Sequence, residues 1–401
     1  MKLTRRALLA SAGAAAAAAA IPPSPALASP FEAPPLPAAL KPDVFRERQE
    51  KVRAGAKLKN LDALFVTAST NLAYTANLSI GRSERLTALL LLTDGPALLV
   101  TPSFEEANHK RDAVVDDVKT WQEDVDPIAL VAKLLAGRKA IGIEGLTVYT
   151  TASLLAAAMA ARLEDATPVF DELRTVKSEE EQAFIRDAGR RTNAAIYATH
   201  GRLKAGMTER DVARILEEEF TKQGAHGGGL VQFGPDSAYP HGGPAERRLA
   251  KGDTVLIDAG CRTRGYSSDI TRTVSFGTPS DEMRKVYATV EKAQLAGIDA
   301  LKAGAIPEEV DRAARKIIEA AGYGEFFTHR LGHGLGMDGH EHPYLVHGNR
   351  APLLAGNVVT IEPGIYMPGK FGVRIEDDYA ATPSGVKSLS VRPGEMVVIK
   401  P

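Results

Sequence analysis

The chain has 401 residues, more than the roughly 100–200 of one ordinary domain, so we expect two domains. Its composition, 44% hydrophobic and 25% charged, is typical of soluble globular proteins and excludes a disordered or fibrous chain. Balanced charge, 49 Lys and Arg against 50 Asp and Glu, gives no field that attracts nucleic acid, and one cysteine excludes an intramolecular disulfide.

The first residues have the pattern of an export signal. Arg5 and Arg6 resemble the twin-arginine motif, and the uncharged Ala-rich stretch 7–21 is shorter than the ~20 residues of a membrane-spanning helix. The alternative is a disordered leader with two incidental arginines. We expect a twin-arginine signal peptide over 1–28, a Pro-rich lead-in over 29–42, and an exported, periplasmic protein without a stable membrane anchor.

The segment 43–170 has the pattern of a small α/β domain. Apolar runs of strand length lie at 61–66, 86–92, 98–101 and 140–143, and helical patterns at 104–111, 127–135 and 152–162. Asp94 and Gly95 predict a hairpin between the second and third strands. No titratable groups here have metal or nucleophile spacing, so we expect a role in recognition or oligomerisation.

A second domain is expected over 175–401, after a charged connector at 171–177. Ser178 and Glu181 form a capping box at the start of a long helix. The predicted helices are 179–203, one capped by Thr208 and running to 223, 281–302 and 307–321. Gly- and Pro-rich segments with alternating apolar residues follow the helix pairs and predict antiparallel strands. The fold class is therefore α+β, with helices on one face of the sheet.

Acidic residues end the apolar strands of this second domain. Asp258 ends one strand and Asp269 follows a glycine-containing turn, so a hairpin brings their carboxylates side by side. Glu362 and Glu376 lie at the ends of two later apolar runs, and His333 lies between two glycines. Each acid alone is typical of a strand end at the surface. The set of four carboxylates and one imidazole predicts a metal site.

The residue types of this site restrict which metal ions can bind and how many. Carboxylates and imidazole suit hard or borderline divalent ions, and four negative ligands exceed the charge of one such ion. We therefore expect two divalent ions and hydrolytic chemistry, with Mn²⁺ as the expected metal and Co²⁺, Zn²⁺ or Fe²⁺ as alternatives. The lone Cys261 is expected to be a small buried residue rather than a nucleophile.

At these residues the sequence resembles a known enzyme family. The matching segments are 239–242, 256–261, 266–273, 329–336, 340–343, 361–366 and 372–377. They resemble pita-bread-fold metallopeptidases, and among these the Xaa-Pro branch of peptidase family M24, which contains aminopeptidase P and prolidase. The resemblance implies a pita-bread catalytic domain after a smaller α/β creatinase-type N-terminal domain, which the N-terminal half resembles only loosely.

The resemblance also implies a role for each metal-site residue. Asp258 would chelate one ion, His333 and Glu362 the other, and Asp269 and Glu376 would bridge both. Glu362 would in addition act as general base or proton shuttle.

Four further residues match substrate-side positions of the family. His241 and His340 match histidines that bind the peptide and stabilise the tetrahedral intermediate, so both are candidate catalytic residues. His329 and Arg374 match residues that bind the proline-side carboxylate. His109 and His200 are expected at the surface, His226 and His347 in loops, and His342 is given no role.

The expected activity is hydrolysis of the bond before proline, in Xaa-Pro dipeptides or at peptide N-termini. The partner is then a peptide with proline at its second position and no nucleic acid, and the family resemblance implies a homodimer. An alternative is a pita-bread enzyme acting on a small non-peptide substrate, either ectoine-hydrolase-like or a sulfonium-compound lyase. A third hypothesis is a non-catalytic binding module of the same fold, and the complete set of metal ligands argues against it.

Overall fold

A computed structural model describes residues 35–243 and 245–401, so the predicted signal peptide lies outside the described part. The elements of the N-terminal domain are α1 (Pro42–Leu58), β1 (Ala63–Thr67), α2 (Thr70–Ala76), β2 (Ala88–Leu92), β3 (Ala97–Pro102), α3 (Glu106–Asp112), β4 (Asp117–Trp121), α4 (Pro127–Leu134), β5 (Ala140–Ile143), α5 (Tyr149–Ala158), β6 (Arg162–Asp165) and α6 (Thr167–Thr175). Within the described ranges, no helix combines the length and apolar character needed to cross a membrane.

The elements of the C-terminal domain are α7 (Glu179–His200), α8 (Glu209–Lys222), β7 (Gly227–Phe233), β8 (Thr254–Thr263), β9 (Tyr266–Ser267), β10 (Ile270–Phe276), α9 (Asp281–Ala300), α10 (Pro307–Ala320), β11 (Gly332–Gly334), β12 (Glu341–Leu345), β13 (Val358–Ile361), β14 (Gly364–Met367), β15 (Phe371–Arg374), β16 (Asp377–Thr382), β17 (Gly385–Ser388) and β18 (Val398–Ile399). Short 3₁₀ turns occupy Ser103–Glu105, Gly234–Ala238 and Gly324–Phe326.

The N-terminal domain is built on one six-stranded sheet in the order β4-β3-β2-β1-β5-β6. β1 is parallel to β5 and antiparallel to β2, and β2 and β3 form the hairpin predicted from Asp94 and Gly95. Because side chains alternate across a strand, Leu64 and Phe65 of β1 lie in separate cores on opposite faces of the sheet. Helices α1, α2 and α6 cover one face, and α4 and α5 cover the other.

The C-terminal domain has two sheets, each covered by one helix pair. α7 and α8 pack on the sheet β18-β10-β8-β7, around Phe220 and Ile257. α9 and α10 pack on the sheet β12-β11-β13-β16-β17 and on the hairpin β14-β15, around Val290 and Ile361. The capping box at the start of α7 is present, since Ser178 accepts the N–H of Glu181 and the Glu181 carboxylate accepts the N–H of Ser178. The predicted pairing of helices with strand regions is confirmed.

Two predicted elements of the N-terminal half are wrong. The connector expected at 171–177 is largely helical, because α6 buries Val169 and Phe170 in the N-terminal core and ends only at Thr175. The helix expected over 152–162 ends at Ala158, and β6 follows it as an edge strand beside β5. Charged residues on α6 and β6 hid both elements, because an edge strand and a half-buried helix tolerate charge.

The predicted exposure of the histidines outside the candidate site is right for two of them and wrong for two. His226 and His347 are exposed loop residues, as predicted. His109 and His200 are buried, which is wrong for both predictions: His109 contacts the Thr101 hydroxyl through Nδ1 at 2.7 Å, and His200 is fully enclosed at the end of α7. Cys261 is buried, as predicted, and burial raises the pKa of its thiol.

Candidate metal centre

The first half of the site lies on the sheet covered by α7 and α8. Asp258 is in the middle of β8, and its register partner on β10 is Thr271. Asp269 directly precedes β10. On the other side of β8, Gly229 comes so close that a Cβ there would lie 2.1 Å from the Asp258 carbonyl oxygen, so this position of β7 requires glycine. The tight packing holds Asp258 on a rigid central strand.

The second half of the site lies at breaks between strands of the other sheet. Glu362 lies between β13 and β14, and Glu376 lies between β15 and β16, so both acids follow strand ends, as the apolar runs predicted. A Cβ on Gly332 would lie 2.0 Å from the Thr360 carbonyl oxygen, and one on Gly334 would lie 2.3 Å from that of His342. The two glycines therefore let β11 bring His333 close to these acids.

The orientation of the His333 ring favours one coordinating atom. Its Nδ1 lies 3.0 Å from the Gly334 carbonyl oxygen, to which it donates a hydrogen bond. Nε2 is then the unprotonated nitrogen, and it lies 3.4 Å from Oε1 of Glu362 and 3.7 Å from Oδ2 of Asp269. Burial lowers the pKa of His333 to about 3, so the imidazole is neutral, the form that binds a metal.

The candidate ligands form overlapping groups. Asp258, Asp269 and Glu376 bring one carboxylate oxygen each within 4.8 Å of one another, and His333, Glu362 and Glu376 do the same. Asp269 also belongs to a group with His333 and His340. Glu376 is thus common to two groups and Asp269 reaches both sides, which is the arrangement that a bridged pair of ions requires.

The electrostatics of the cluster favour a bound cation. Burial raises the pKa of Asp269 well above its ordinary value, and repulsion from Asp258 adds to the shift. Burial and repulsion from Asp269 do the same for Glu376. Burial raises the pKa of Glu362 to about 7, against the attraction of Arg374. A divalent ion would relieve both the desolvation and the repulsion, so the donor set fits the metal that it was predicted to hold.

A row of three hydrogen-bonded side chains, Arg374, Tyr366 and His329, leads away from the carboxylates. Arg374 donates to Oδ2 of Asp258 and, over 2.9 Å, to the hydroxyl of Tyr366. The Tyr366 hydroxyl lies 2.8 Å from Nε2 of His329, whose Nδ1 lies 2.7 Å from the Arg330 carbonyl oxygen. Because both ring nitrogens of His329 have partners and burial lowers its pKa to about 4, this histidine is neutral and fixed in one tautomer.

The two remaining histidines border the site from loops. The His340 ring contacts the His333 ring, with centroids 3.9 Å apart and the planes tilted by 46°. Nδ1 of His340 lies 3.5 Å from the Arg330 guanidinium. His241 is exposed and follows Pro240, whose carbonyl oxygen accepts a hydrogen bond from Arg374 over 3.4 Å. The structure thus places His241 and His340 at the open side of the cluster and His329 behind Tyr366.

Three residues that support the site were given no role from the sequence. Thr271 donates to Glu376 over 2.6 Å, and Asp378 accepts the backbone N–H of Asp269 over 3.2 Å. Tyr366 links Arg374 to His329. The alternation of β10 could have identified Thr271, which faces Asp258 across the hairpin. Tyr366 lies in the matching segment 361–366 but was given no role there. Nothing in the sequence marked Asp378, because its role arises from a contact with a distant strand.

Comparison with known proteins places the chain in a family. Residues 183–383 match Metallopeptidase family M24, and residues 48–176 match the Creatinase/Prolidase N-terminal domain. The chain belongs to metallopeptidase family M24. The predicted fold class, a pita-bread domain behind a creatinase-type N-terminal domain, is confirmed for this M24 peptidase.

Relatives of this M24 peptidase match it over most of its length. It is 37% identical over 344 residues to an uncharacterized peptidase of Staphylococcus haemolyticus, covering 85% of this chain and 98% of the relative. The dipeptidase PepE of Mycobacterium ulcerans is 35% identical with a TM-score of 0.84, over 90% of this chain and 100% of that structure. The Xaa-Pro dipeptidase of Bacillus anthracis is 32% identical with a TM-score of 0.83, over 88% and 99%.

Proposed function

We propose that this M24 peptidase is a two-metal exopeptidase that hydrolyses Xaa-Pro bonds, as an Xaa-Pro dipeptidase or an Xaa-Pro aminopeptidase. The observation that carries the proposal is the pair of ligand groups joined at Glu376, with the row of Arg374, Tyr366 and His329 beside it. The similarity to an Xaa-Pro dipeptidase of known structure supports the same substrate class.

The proposed ligand sets follow the two groups of side chains. Asp258, Asp269 and Glu376 would hold one ion, and His333, Glu362 and Glu376 the other, with Asp269 shared. Mn²⁺ is the proposed metal, because the set is rich in carboxylate oxygens and contains no thiolate. When bound, the metal pair lowers the pKa of a water molecule and polarises the scissile carbonyl.

Glu362 is the proposed general base. The Thr360 hydroxyl donates to Oε1 of Glu362 over 3.3 Å and so fixes the carboxylate that would take up the proton from water. The proton taken from water would pass through Glu362 to the leaving proline nitrogen.

The substrate side would be divided between the histidines and the Arg374 row. His340 and His241 lie on the open side, where they would donate hydrogen bonds to the peptide and stabilise the tetrahedral intermediate. Arg374 would attract the proline-side carboxylate. His329 would act through Tyr366, because both of its ring nitrogens already have partners.

The export route is part of the proposal. The predicted signal peptide, residues 1–28, lies outside the described residues, and twin-arginine translocation accepts proteins that have already folded and bound metal. Replacing Arg5 and Arg6 with Lys should retain active precursor inside the cell. Normal appearance of this variant in the periplasm would exclude the route. We also propose a homodimer, which light scattering of the purified protein tests.

The central experiment is a substrate comparison on reloaded protein. Metal-stripped protein is reloaded with Mn²⁺, Co²⁺, Zn²⁺ or Fe²⁺ and assayed on Ala-Pro, Ala-Pro-Ala and Ala-Ala. We expect cleavage of at least one proline peptide and little cleavage of Ala-Ala, and the ratio of Ala-Pro to Ala-Pro-Ala separates dipeptidase from aminopeptidase. Equal rates on Ala-Pro and Ala-Ala would refute proline specificity.

A further inference from the structure

The segment that carries His340 is held by a buried carboxylate next to that histidine. Residues 335–340 connect β11 to β12, and Glu341 is the first residue of β12. The Glu341 side chain is only 10% exposed and pairs with cations outside the metal cluster, whereas His340 is exposed at the site. The position of the His340 ring therefore depends on how Glu341 is fixed.

Two cations from outside the pita-bread strands hold this carboxylate. Nζ of Lys177, in the segment between α6 and α7, lies 2.5 Å from Oε1 of Glu341, and Nη2 of Arg174, on α6, lies 2.7 Å from Oε2. The side chains of Lys177 and Arg174 are 1% and 9% exposed. A buried carboxylate with a cation on each oxygen has one favourable orientation, since any rotation leaves a charge without its partner.

The N-terminal domain extends the same network. Arg174 also donates to Asp338, within the His340 segment, and to the Asn71 amide oxygen on α2. The Thr70 hydroxyl donates to Asp338 over 2.6 Å. The backbone N–H of Asp338 in turn donates to Oε2 of Glu341 over 3.3 Å. The His340 segment is thus attached to the N-terminal domain at two acids.

The backbone of the His340 segment packs directly against the ion pair of Glu341 and Lys177. A Cβ on Gly336 would lie 2.5 Å from Oε1 of Glu341 and 2.8 Å from Cε of Lys177. The segment therefore has no space to shift toward Lys177, and the ion pairs prevent it from shifting away. The His340 ring, whose centroid lies 3.9 Å from that of His333, belongs to the segment held by these contacts.

We propose that Lys177 and Arg174 are positioning residues, which hold Glu341 and thereby place His340 over the reaction centre. The inference rests on the proposed function only in taking His340 as a substrate-side residue. It makes the N-terminal domain a part of the catalytic geometry, through α2 and α6. A purely structural role, the docking of two domains, is the competing explanation.

The test is a double-mutant cycle between Lys177→Met and His340→Ala on the full-length, metal-loaded enzyme. A displaced catalytic group lowers the rate steeply, so we expect Lys177→Met to reduce kcat about tenfold or more with little change in KM. In the His340→Ala background the same change should alter kcat by less than about twofold, because its effect passes through His340. Lys177→Arg should restore part of the activity.

The matched control is another buried ion pair between the domains. Arg48 on α1 donates to Glu181 over 2.9 Å, and their side chains are 6% and 9% exposed. Within the described residues, neither side chain forms a hydrogen bond or ion pair with the His340 segment. Arg48→Met should lower the melting temperature and leave kcat unchanged. Equal reductions of kcat by Lys177→Met with and without His340 would refute the positioning role, as would an equal loss of kcat in Arg48→Met.

A second readout does not use activity. Hydrogen exchange of the amides in 336–341 of the metal-free protein should be faster in Lys177→Met than in wild type, and unchanged in Arg48→Met. If Lys177→Met does not fold, Glu341→Gln takes its place in both measurements. The cycle is run on whichever of the assayed peptides the wild type cleaves, so loss of proline specificity would leave the test intact. Unchanged exchange in the segment would overturn the proposal.

Discussion

The hydroxyl of Thr271 lies 2.6 Å from Oε2 of Glu376 and donates a hydrogen bond to it. The same hydroxyl accepts a hydrogen bond from Nε of Arg374 over 3.0 Å. One threonine therefore fixes the acid that both ligand groups share and connects it to the arginine on the substrate side. Groups that orient a metal ligand affect metal affinity although they do not touch the metal.

The first prediction follows from this contact. Thr271→Val keeps the shape of the side chain and removes both hydrogen bonds, so metal affinity should fall about 10–100-fold. Titration of the metal-free protein with Mn²⁺ measures the change. Thr289→Val is the control, since Thr289 is buried on α9 and donates only to the Lys285 carbonyl within its own helix. Equal affinity of the Thr271 variant and the control would disprove the role.

The second prediction concerns Glu362. Glu362→Gln keeps the size of the side chain but cannot take up a proton, so kcat should fall by about 10²–10⁴-fold. The melting temperature of the metal-free variant should equal or exceed that of wild type, because a buried acid is replaced by a neutral amide. Steady-state kinetics and thermal unfolding test the two parts, and a fully active variant would contradict the assignment.

The third prediction is the pH dependence of the metal-free protein. Burial raises the pKa of Glu362 from 4.5 to about 7, so the folded state binds this proton more tightly than the unfolded chain. The contribution of this group to stability is therefore greatest at low pH and falls as the pH rises from about 4.5 to about 7, by on the order of 3 kcal/mol.

Denaturant unfolding of wild type and Glu362→Gln across this range measures the contribution of Glu362 together with its repulsion of Asp269 and Glu376. The difference in stability should grow with pH in favour of the variant, and saturating metal should remove it. A constant difference from pH 4.5 to 7.5 would show that the carboxyl group has no raised pKa.

The fourth prediction concerns His200, at the end of α7. The side chain is fully buried, its ring nitrogens have no hydrogen-bond partner within the described residues, and burial lowers its pKa to about 3. Since the unfolded chain takes up this proton below about pH 6.5, the histidine costs stability progressively as the pH falls toward 3.

His200→Leu removes the buried polar atoms, each of which costs ~1–3 kcal/mol when unpaired, so the variant should be at least as stable as wild type at pH 7. Its advantage should increase as the pH falls from 6.5 to 4. Thermal unfolding over this range is the measurement. A variant that loses stability in parallel with wild type would show that His200 does not titrate as stated.

Local patterns predicted a large part of the fold. The capping box of α7 and the hairpin of β2 and β3 depend on residues that are neighbours in sequence, and both are present. Helix α6 was missed, because its charged residues make contacts that only the folded chain supplies: Arg174 binds acids more than 160 positions away. The burial of His200 was missed for the same reason.

The candidate site, too, was predicted where it depends on local patterns and missed where it depends on tertiary contacts. Asp258 and Asp269 could be paired from one hairpin, and motif resemblance added the acids of the second sheet. The strand ends at Glu362 and Glu376 agree with the ends of the apolar runs, but the changes of sheet at both positions could not be foreseen. Their cause is tertiary, since the chain passes there from one sheet to the next.

The burial of Cys261 has a practical consequence. Its Sγ lies 3.4 Å from the Ala188 carbonyl oxygen, to which it donates, and its raised pKa leaves little reactive thiolate. A thiol reagent would therefore label a newly introduced surface cysteine in preference to the native one. Tyr149, 85% exposed on α5, offers such a position. Fluorescent reporters can thus be attached to the N-terminal domain while the wild-type residue beside the metal strand stays in place.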